Sequence, residues 1–141
     1  MIRIASVREE HSLELDLIGQ AEEAYESGDV LLSVRVRSHE FAGSTQAWVM
    51  LDELRAFAES FRALNDTLRG SAKLRSISPN ELDLEFVAVS SRGHLAAQGT
   101  IGHLVYEQEQ MYWHAISFGF EFEPSQLQAA TQAPWLAPGA A

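Results

Sequence analysis

The stretch VLLSVRVRSHEFAGSTQAWVMLDELRAFAESFRALNDTLRG, residues 30–70, decides the fold. Its first part alternates: Val30, Leu32, Val34 and Val36 fall on one face, with Ser33, Arg35 and Arg37 on the other. Strand side chains repeat every second residue, so this is a half-buried strand. After a short turn at Ser38-His39-Glu40, the run Phe41–Met50 reads as its hairpin partner. The period then changes. Leu54, Phe57, Phe61, Leu64 and Leu68 recur at spacings of three and four, the apolar stripe of an amphipathic helix. Asp52 stands where an N-cap or first-turn acid is favoured, and Gly70 is placed to stop the helix. Arg55, Arg62 and Arg69, spaced by seven, share a solvated face. Glu59 and Asp66, four residues after the first two, offer them weak surface pairs.

Strand patterns continue on both sides. Upstream, LELDLI (residues 13–18) alternates and gives way to an acidic loop, GQAEEAYESGD, that closes on the turn pair Gly28-Asp29. Downstream, AKLRSIS and NELDLEFVAV form a hairpin across the Ser-Pro-Asn turn, followed by HLAAQGTIGHLV and MYWHAISFGFEFE. In the last strand Tyr112, His114, Ile116, Phe118, Phe120 and Phe122 share a face, which is expected to pack on the long helix. PSQLQAATQ gives a short closing helix ended by Pro134. These elements predict an α+β fold in which a curved antiparallel sheet packs on one long central helix, with a short C-terminal helix. Residues 1–141 are expected to form a single domain. The tail from about residue 134 to 141 frays, apart from Trp135 and Leu136.

Composition narrows the function. With 46% apolar residues the chain has a globular and not a disordered composition. No run approaches the roughly 18 apolar residues of a membrane helix, and MIRIASVREEHSLELDL is not a secretory signal. The absence of cysteine removes disulfides, thiolate chemistry and Cys-ligated zinc. A cytoplasmic protein is the simplest expectation. The net charge is −10 and unevenly spread: Glu9 to Asp29 holds eight carboxylates and no Lys or Arg, while seven of the ten basic residues lie between Arg35 and Arg75. Beyond Arg92 no basic residue follows, although Glu107, Glu109, Glu121 and Glu123 do. Clustered positive charge is what phosphate binding requires, so nucleic acid is disfavoured; the acidity taken alone reads first as solubility, and where it serves a partner, a basic protein fits.

His94, His103 and His114 lie within 21 residues and invite a metal reading. A catalytic zinc site needs three ligands converging within about 2.0–2.2 Å of the ion. His94 and His103 are nine apart, which in a regular strand sends them to opposite faces. A bulge at Gly99 or Gly102 would change that parity, and His114 falls on the aromatic face as a packing residue. The expectation is no metal and no cofactor. There is no G-x-S-x-G elbow, P-loop or G-x-G-x-x-G, and no H-E-x-x-H. No catalytic residue is assigned.

The order of several weak motifs adds a resemblance. GDVLLSVRVRSHEFAG with Phe41 and Gly43, then Trp48, LDELRAFAESFRAL, LRGSAKLRS, the pair Gly93-His94 and the closing FGFEFEPSQL resemble the WapI-type immunity proteins of bacterial polymorphic-toxin systems. The resemblance covers roughly residues 28–130 and leaves most of the N-terminal acidic segment outside. It implies an antitoxin that binds and blocks the C-terminal domain of a cognate toxin without chemistry of its own. Partners of this family include RNA-cleaving domains, which tend to be basic, and an acidic inhibitor suits such a nuclease.

Toxin-contact candidates are Glu22, Glu23, Tyr25, Glu26 and Asp29, an aromatic set among carboxylates on a loop, and second Tyr106, Glu107 and Glu109 in a hairpin turn. Phe41, Gly43, Trp48 and His94 read as fold-defining: two core aromatics, a turn glycine and a strand-start histidine. Two other classes fit the element order. One is a hotdog-like or cystatin-like acyl-thioester enzyme or ligand-binding domain, with Asp52 and Glu53 at the helix start. The other is an adaptor that pairs through an exposed sheet edge.

Overall fold

The computed structural model of the chain describes residues 1–21 and 28–136. In chain order it forms β1 (Ile2–Ala5), β2 (His11–Gln20), β3 (Val30–Ser38), β4 (Phe41–Val49), α1 (Leu51–Thr67), β5 (Ser71–Arg75), β6 (Leu82–Ala88), β7 (Leu95–Tyr106), β8 (Met111–Phe122) and α2 (Pro124–Ala130), then a 3-10 turn at Pro134–Leu136. The fold is α+β, as expected. Its strands divide into two antiparallel sheets, β1-β2-β3-β4 and β5-β6-β7-β8, each running in sequence order. The long helix makes the connection between them.

Alternation in the first sheet produces rows of inward side chains. Ile2, Leu15, Val34 and Thr45 are cross-strand neighbours in one row, and Ile4, Leu13, Val36 and Gly43 in the next. The second sheet contributes Ala72, Leu74, Leu82, Leu84, Phe86 and Leu95, and the helix stripe Leu54, Phe57, Phe61 and Leu64; all join one buried cluster with the first sheet. Phe57 and Phe61 meet Phe86 with ring centroids 5.9 and 5.1 Å apart, so the helix is held by aromatic packing against β6. The short helix α2 closes the far end over β1, where the Ala5 N–H donates to Gln126 Oε1 at 3.2 Å.

Helix α1 ends differently from the sequence reading. Its N-cap is Met50, with no side-chain cap, so Asp52 is a first-turn acid and pairs with Arg55 at 4.0 Å. The left-handed residue at the C-terminus is Leu68 (φ 55°), whose N–H donates to the Leu64 carbonyl. Leu68 keeps its side chain against the core at that strained position, and Gly70 comes two residues later. Arg62 donates to the Leu136 carbonyl and thereby anchors the 3-10 turn, where the spacing had offered Asp66.

The aromatic face of β8 is buried only in part. Phe120 and Phe122 enter the core, Ile116 and Phe118 are half-buried against it, and Tyr112 and His114 are exposed. The strand is simply longer than the core it covers.

Candidate functional site

That excess length creates the site. The β6–β7 ladder ends at the pair Leu82 and Ile101, whereas the β7–β8 ladder continues to Tyr106 and Met111. Beyond Ile101 the two strands form a ribbon, residues 102–115, which turns at Glu107–Gln110 and pairs with no third strand among the described residues. The ribbon leaves the second sheet and crosses β4, the edge of the first. At the crossing the inward positions of β4 are small: Ile116 lies 3.3 Å from where a β-carbon on Gly43 would stand, and Ile101 follows at 3.8 Å. One row along, the hydroxyl of the buried Thr45 donates to the Gly102 carbonyl at 3.2 Å. Gly43 and Thr45 thus occupy the positions where β3 carries Val36 and Val34, and the space goes to the ribbon.

Past the crossing the side chains sort by strand parity. His103 and His114 are direct cross-strand partners on the face shared with Val105 and Tyr112. The opposite face carries Gly102, Leu104, Tyr106, Met111 and Trp113. Three large residues of this face stand in solvent, Tyr106 at 74% exposure, Met111 at 56% and Trp113 at 46%, and Tyr112 is exposed on the histidine face. Trp113 is supported from beneath, because its indole lies over Gly102. Two clefts flank the ribbon. One, of about 460 Å³, is walled by Ser44, His103, Trp113 and His114. The other, of about 550 Å³, follows the outer face of β3 and β4 past Arg35, Gln46 and Trp48 to His103.

Charge on the ribbon has one sign. Glu107 and Glu109 are exposed at its turn, and no Lys or Arg follows Arg92. Several cations elsewhere face acids: Arg3 lies 3.8 Å from Glu14, Lys73 3.7 Å from Glu85, and Arg75 3.5 Å from Asp83. These pairs sit on the outer sheet faces. The ribbon therefore offers aromatic surface and carboxylates without a compensating cation.

The expected contact residues fare differently. Tyr106, Glu107 and Glu109 come together at the end of the ribbon, all exposed. Glu22, Glu23, Tyr25 and Glu26 lie outside the described residues. Asp29 is half-buried and holds the base of that loop, with its carbonyl accepting the Ala21 N–H at 2.7 Å. It faces a cleft with Trp48 and Ile77, two apolar residues the sequence reading did not count as surface. Trp48 is 44% exposed and Phe41 70%, which corrects the expectation that both are core aromatics. Trp48 has outward parity on β4, and Phe41 has core parity but sits at the rim, opposite Ser38 beside the turn. Gly43 serves close approach within a strand and not a turn. His94 is exposed just before β7, and its carbonyl accepts the Val89 N–H at 2.9 Å, as befits a strand start.

No bulge alters the parity near Gly99 and Gly102, since the ladder runs through both without a register shift. His94 accordingly does not meet His103. The pairing of His103 with His114 escaped the sequence reading, which compared positions within one strand. His114 is exposed and not packed as expected, because its end of β8 overhangs the core. A different histidine pair converges elsewhere: Glu10, His11 and His39 bring one ligand atom each to within 4.8 Å of one another. Asp52 and Glu53, the acids of the acyl-thioester reading, lie on the first turn of α1, with Asp52 open to solvent. Among the described residues no helix is long and apolar enough to cross a membrane.

Comparison with known families places the molecule. The model of the WapI-like immunity protein family matches residues 3–133, and the chain belongs to that family. The match takes in β1 and β2, which the motif resemblance had left outside. Both strands complete the first sheet, so they are part of the family's fold and not an appendage. No curated protein and no solved structure matches the chain.

Proposed function

We propose that this immunity-family protein binds the C-terminal toxin domain of a cognate bacterial polymorphic toxin and blocks it without chemistry of its own, using the β7–β8 ribbon as its principal contact. The observation that carries this reading is the set Tyr106, Met111, Tyr112 and Trp113, exposed together on a ribbon that extends past the core. Large aromatic side chains left in water are costly unless a partner covers them, and Tyr and Trp dominate the energetics of tight interfaces. Burying one such side chain fully contributes roughly 1.5–3 kcal/mol. Glu107 and Glu109 at the turn supply long-range attraction toward a basic toxin surface, such as the phosphate-binding surface of a nuclease. Asp29, beside Trp48 and Ile77, together with the acidic run of Glu22, Glu23, Tyr25 and Glu26 that precedes it in sequence, is a second contact of the same chemistry. The protein acts in the cytoplasm of the producing cell, where it engages protein and neither nucleic acid nor membrane.

The test is co-expression. The neighbouring open reading frames are sequenced for a large repeat-containing protein, and its C-terminal domain is expressed in a sensitive bacterium with and without the protein. Growth restored by the protein, and tight binding that weakens as salt rises, supports the reading. A toxin shown to be active that is neither rescued nor bound refutes it.

A further inference from the structure

Two turns meet at one end of the first sheet. The β1–β2 turn carries Glu9 and Glu10, and the β3–β4 turn carries His39. They are clamped by hydrogen bonds to the carbonyls of the first turn: the His39 N–H donates to the Glu10 carbonyl at 3.1 Å, and the Arg37 guanidinium donates to the Glu9 carbonyl at 2.8 Å. The clamp brings His39 onto the ring of His11, edge to face, with centroids 4.4 Å apart. Glu10 completes the group, and the three ligand atoms lie within 4.8 Å of one another.

We propose that Glu10, His11 and His39 bind a divalent first-row transition metal, zinc in the first instance, as a clip between the two turns. Two imidazoles and one carboxylate are the donors of zinc and its neighbours, whereas calcium and magnesium take all-oxygen sets. Such an ion holds its nitrogen and oxygen ligands at about 2.0–2.2 Å, which places them roughly 3–3.5 Å apart. Glu10 and His39 are exposed and close that gap by side-chain rotation.

His11 is already oriented for the task. Its ring stacks on Phe120 at 5.4 Å with an interplanar angle of 7°, so the packed core fixes its plane. Its Nδ1 lies 2.7 Å from Ser38 Oγ. With Nδ1–H donating to that hydroxyl, the lone pair of Nε2 is free to coordinate, which is the outer-shell arrangement that sets the tautomer of metal-binding histidines. His39 sits at φ 55°, a conformation the tight turn imposes and the Glu10 hydrogen bond maintains. Three protein ligands leave one tetrahedral position for water or for a group on a bound partner. The inference does not depend on the toxin reading.

Calorimetric titration of the untagged, chelator-treated protein with Zn²⁺ alone tests it. One equivalent should bind and raise the midpoint of thermal unfolding. His39→Asn should weaken binding at least tenfold; asparagine tolerates positive φ, so the turn survives. Glu10→Gln, at an exposed site, and Ser38→Ala should each weaken it as well. The double variant His103→Asn/His114→Asn, which removes the other histidine pair, should bind as the parent does. Absence of a one-equivalent site, affinity unmoved by His39→Asn and Glu10→Gln, or loss confined to the His103/His114 variant would each overturn the assignment.

Discussion

The indole of Trp113 lies so close to the α-carbon of Gly102 that a β-carbon there would stand 2.2 Å from Cζ2 of the ring. This contact explains how a large aromatic is displayed to solvent while remaining ordered: the ring rests on backbone across the ribbon, and Thr45 holds the same glycine's carbonyl from the other side. The display surface and its attachment to the first sheet therefore meet at one residue.

Gly102→Ala should dislodge the indole without opposing the backbone, since Gly102 is not among the glycines with positive φ. Overpacking of this kind costs roughly 1–3 kcal/mol, and the exposed ring can swing away, so the lower half of that range is expected. Urea denaturation should show the loss, and tryptophan fluorescence of the folded state should move to longer wavelength. An unchanged spectrum would mean that Trp113 does not rest there.

Gly99→Ala should be more severe. Its β-carbon would lie 2.0 Å from the Asp83 carbonyl oxygen, which belongs to the neighbouring strand and cannot swing aside. A loss at or above the top of the roughly 1–3 kcal/mol overpacking range is expected in the same denaturation experiment. Equal stability of Gly99→Ala and Gly102→Ala would contradict the distinction between backbone and side-chain obstruction.

Thr45→Val keeps shape and removes the hydroxyl that reaches Gly102 across the crossing. The net value of one such bond is about 1 kcal/mol. Hydrogen exchange should detect the change locally, as faster exchange of ribbon amides with little effect in β1 and β2. Uniform acceleration throughout the chain would show that the ribbon is not separately hinged on this contact.

Glu107→Lys/Glu109→Lys and Glu22→Lys/Glu23→Lys/Glu26→Lys separate the two proposed acidic contacts. Each set should lower the association rate with the toxin domain and flatten its salt dependence, because steering acts on encounter more than on dissociation. A set that leaves both quantities unchanged marks a merely solvated surface. Loss of binding on charge reversal at the loop alone would move the principal contact from the ribbon to Asp29 and Trp48.

Much of the fold is legible in the sequence because both periods are strong. The Val30–Val36 alternation and the Leu54–Leu68 stripe name their elements and their buried faces. What strand parity cannot reveal is how far a strand outruns the core, so Tyr112 and His114 look like core residues while lying in solvent. The same limit hid Phe41, which has core parity but sits at the rim, whereas the outward parity of Trp48 was already legible in the alternation of β4. The division into two sheets depends on which hairpins meet across the helix, a tertiary matter with no local signal. Two clues were nevertheless present. A turn centred on Gln108 and Glu109 sets His103 opposite His114 by distance alone, and the small inward residues Gly43 and Thr45 mark where another element must approach. His11 and His39 carried no clue, being brought together by two turns distant in sequence.

The most direct test of the account is the affinity of the cognate toxin domain for a ribbon variant, Tyr106→Ala/Trp113→Ala, whose fold is verified by circular dichroism and by its thermal unfolding. Loss of about 4 kcal/mol, the sum for two hot-spot side chains at about 2 kcal/mol each, corresponds to weakening near a thousandfold and to failure of rescue at limiting expression. Binding and rescue that match the parent protein, with the variant fully folded, would contradict the assignment of the ribbon as the toxin contact.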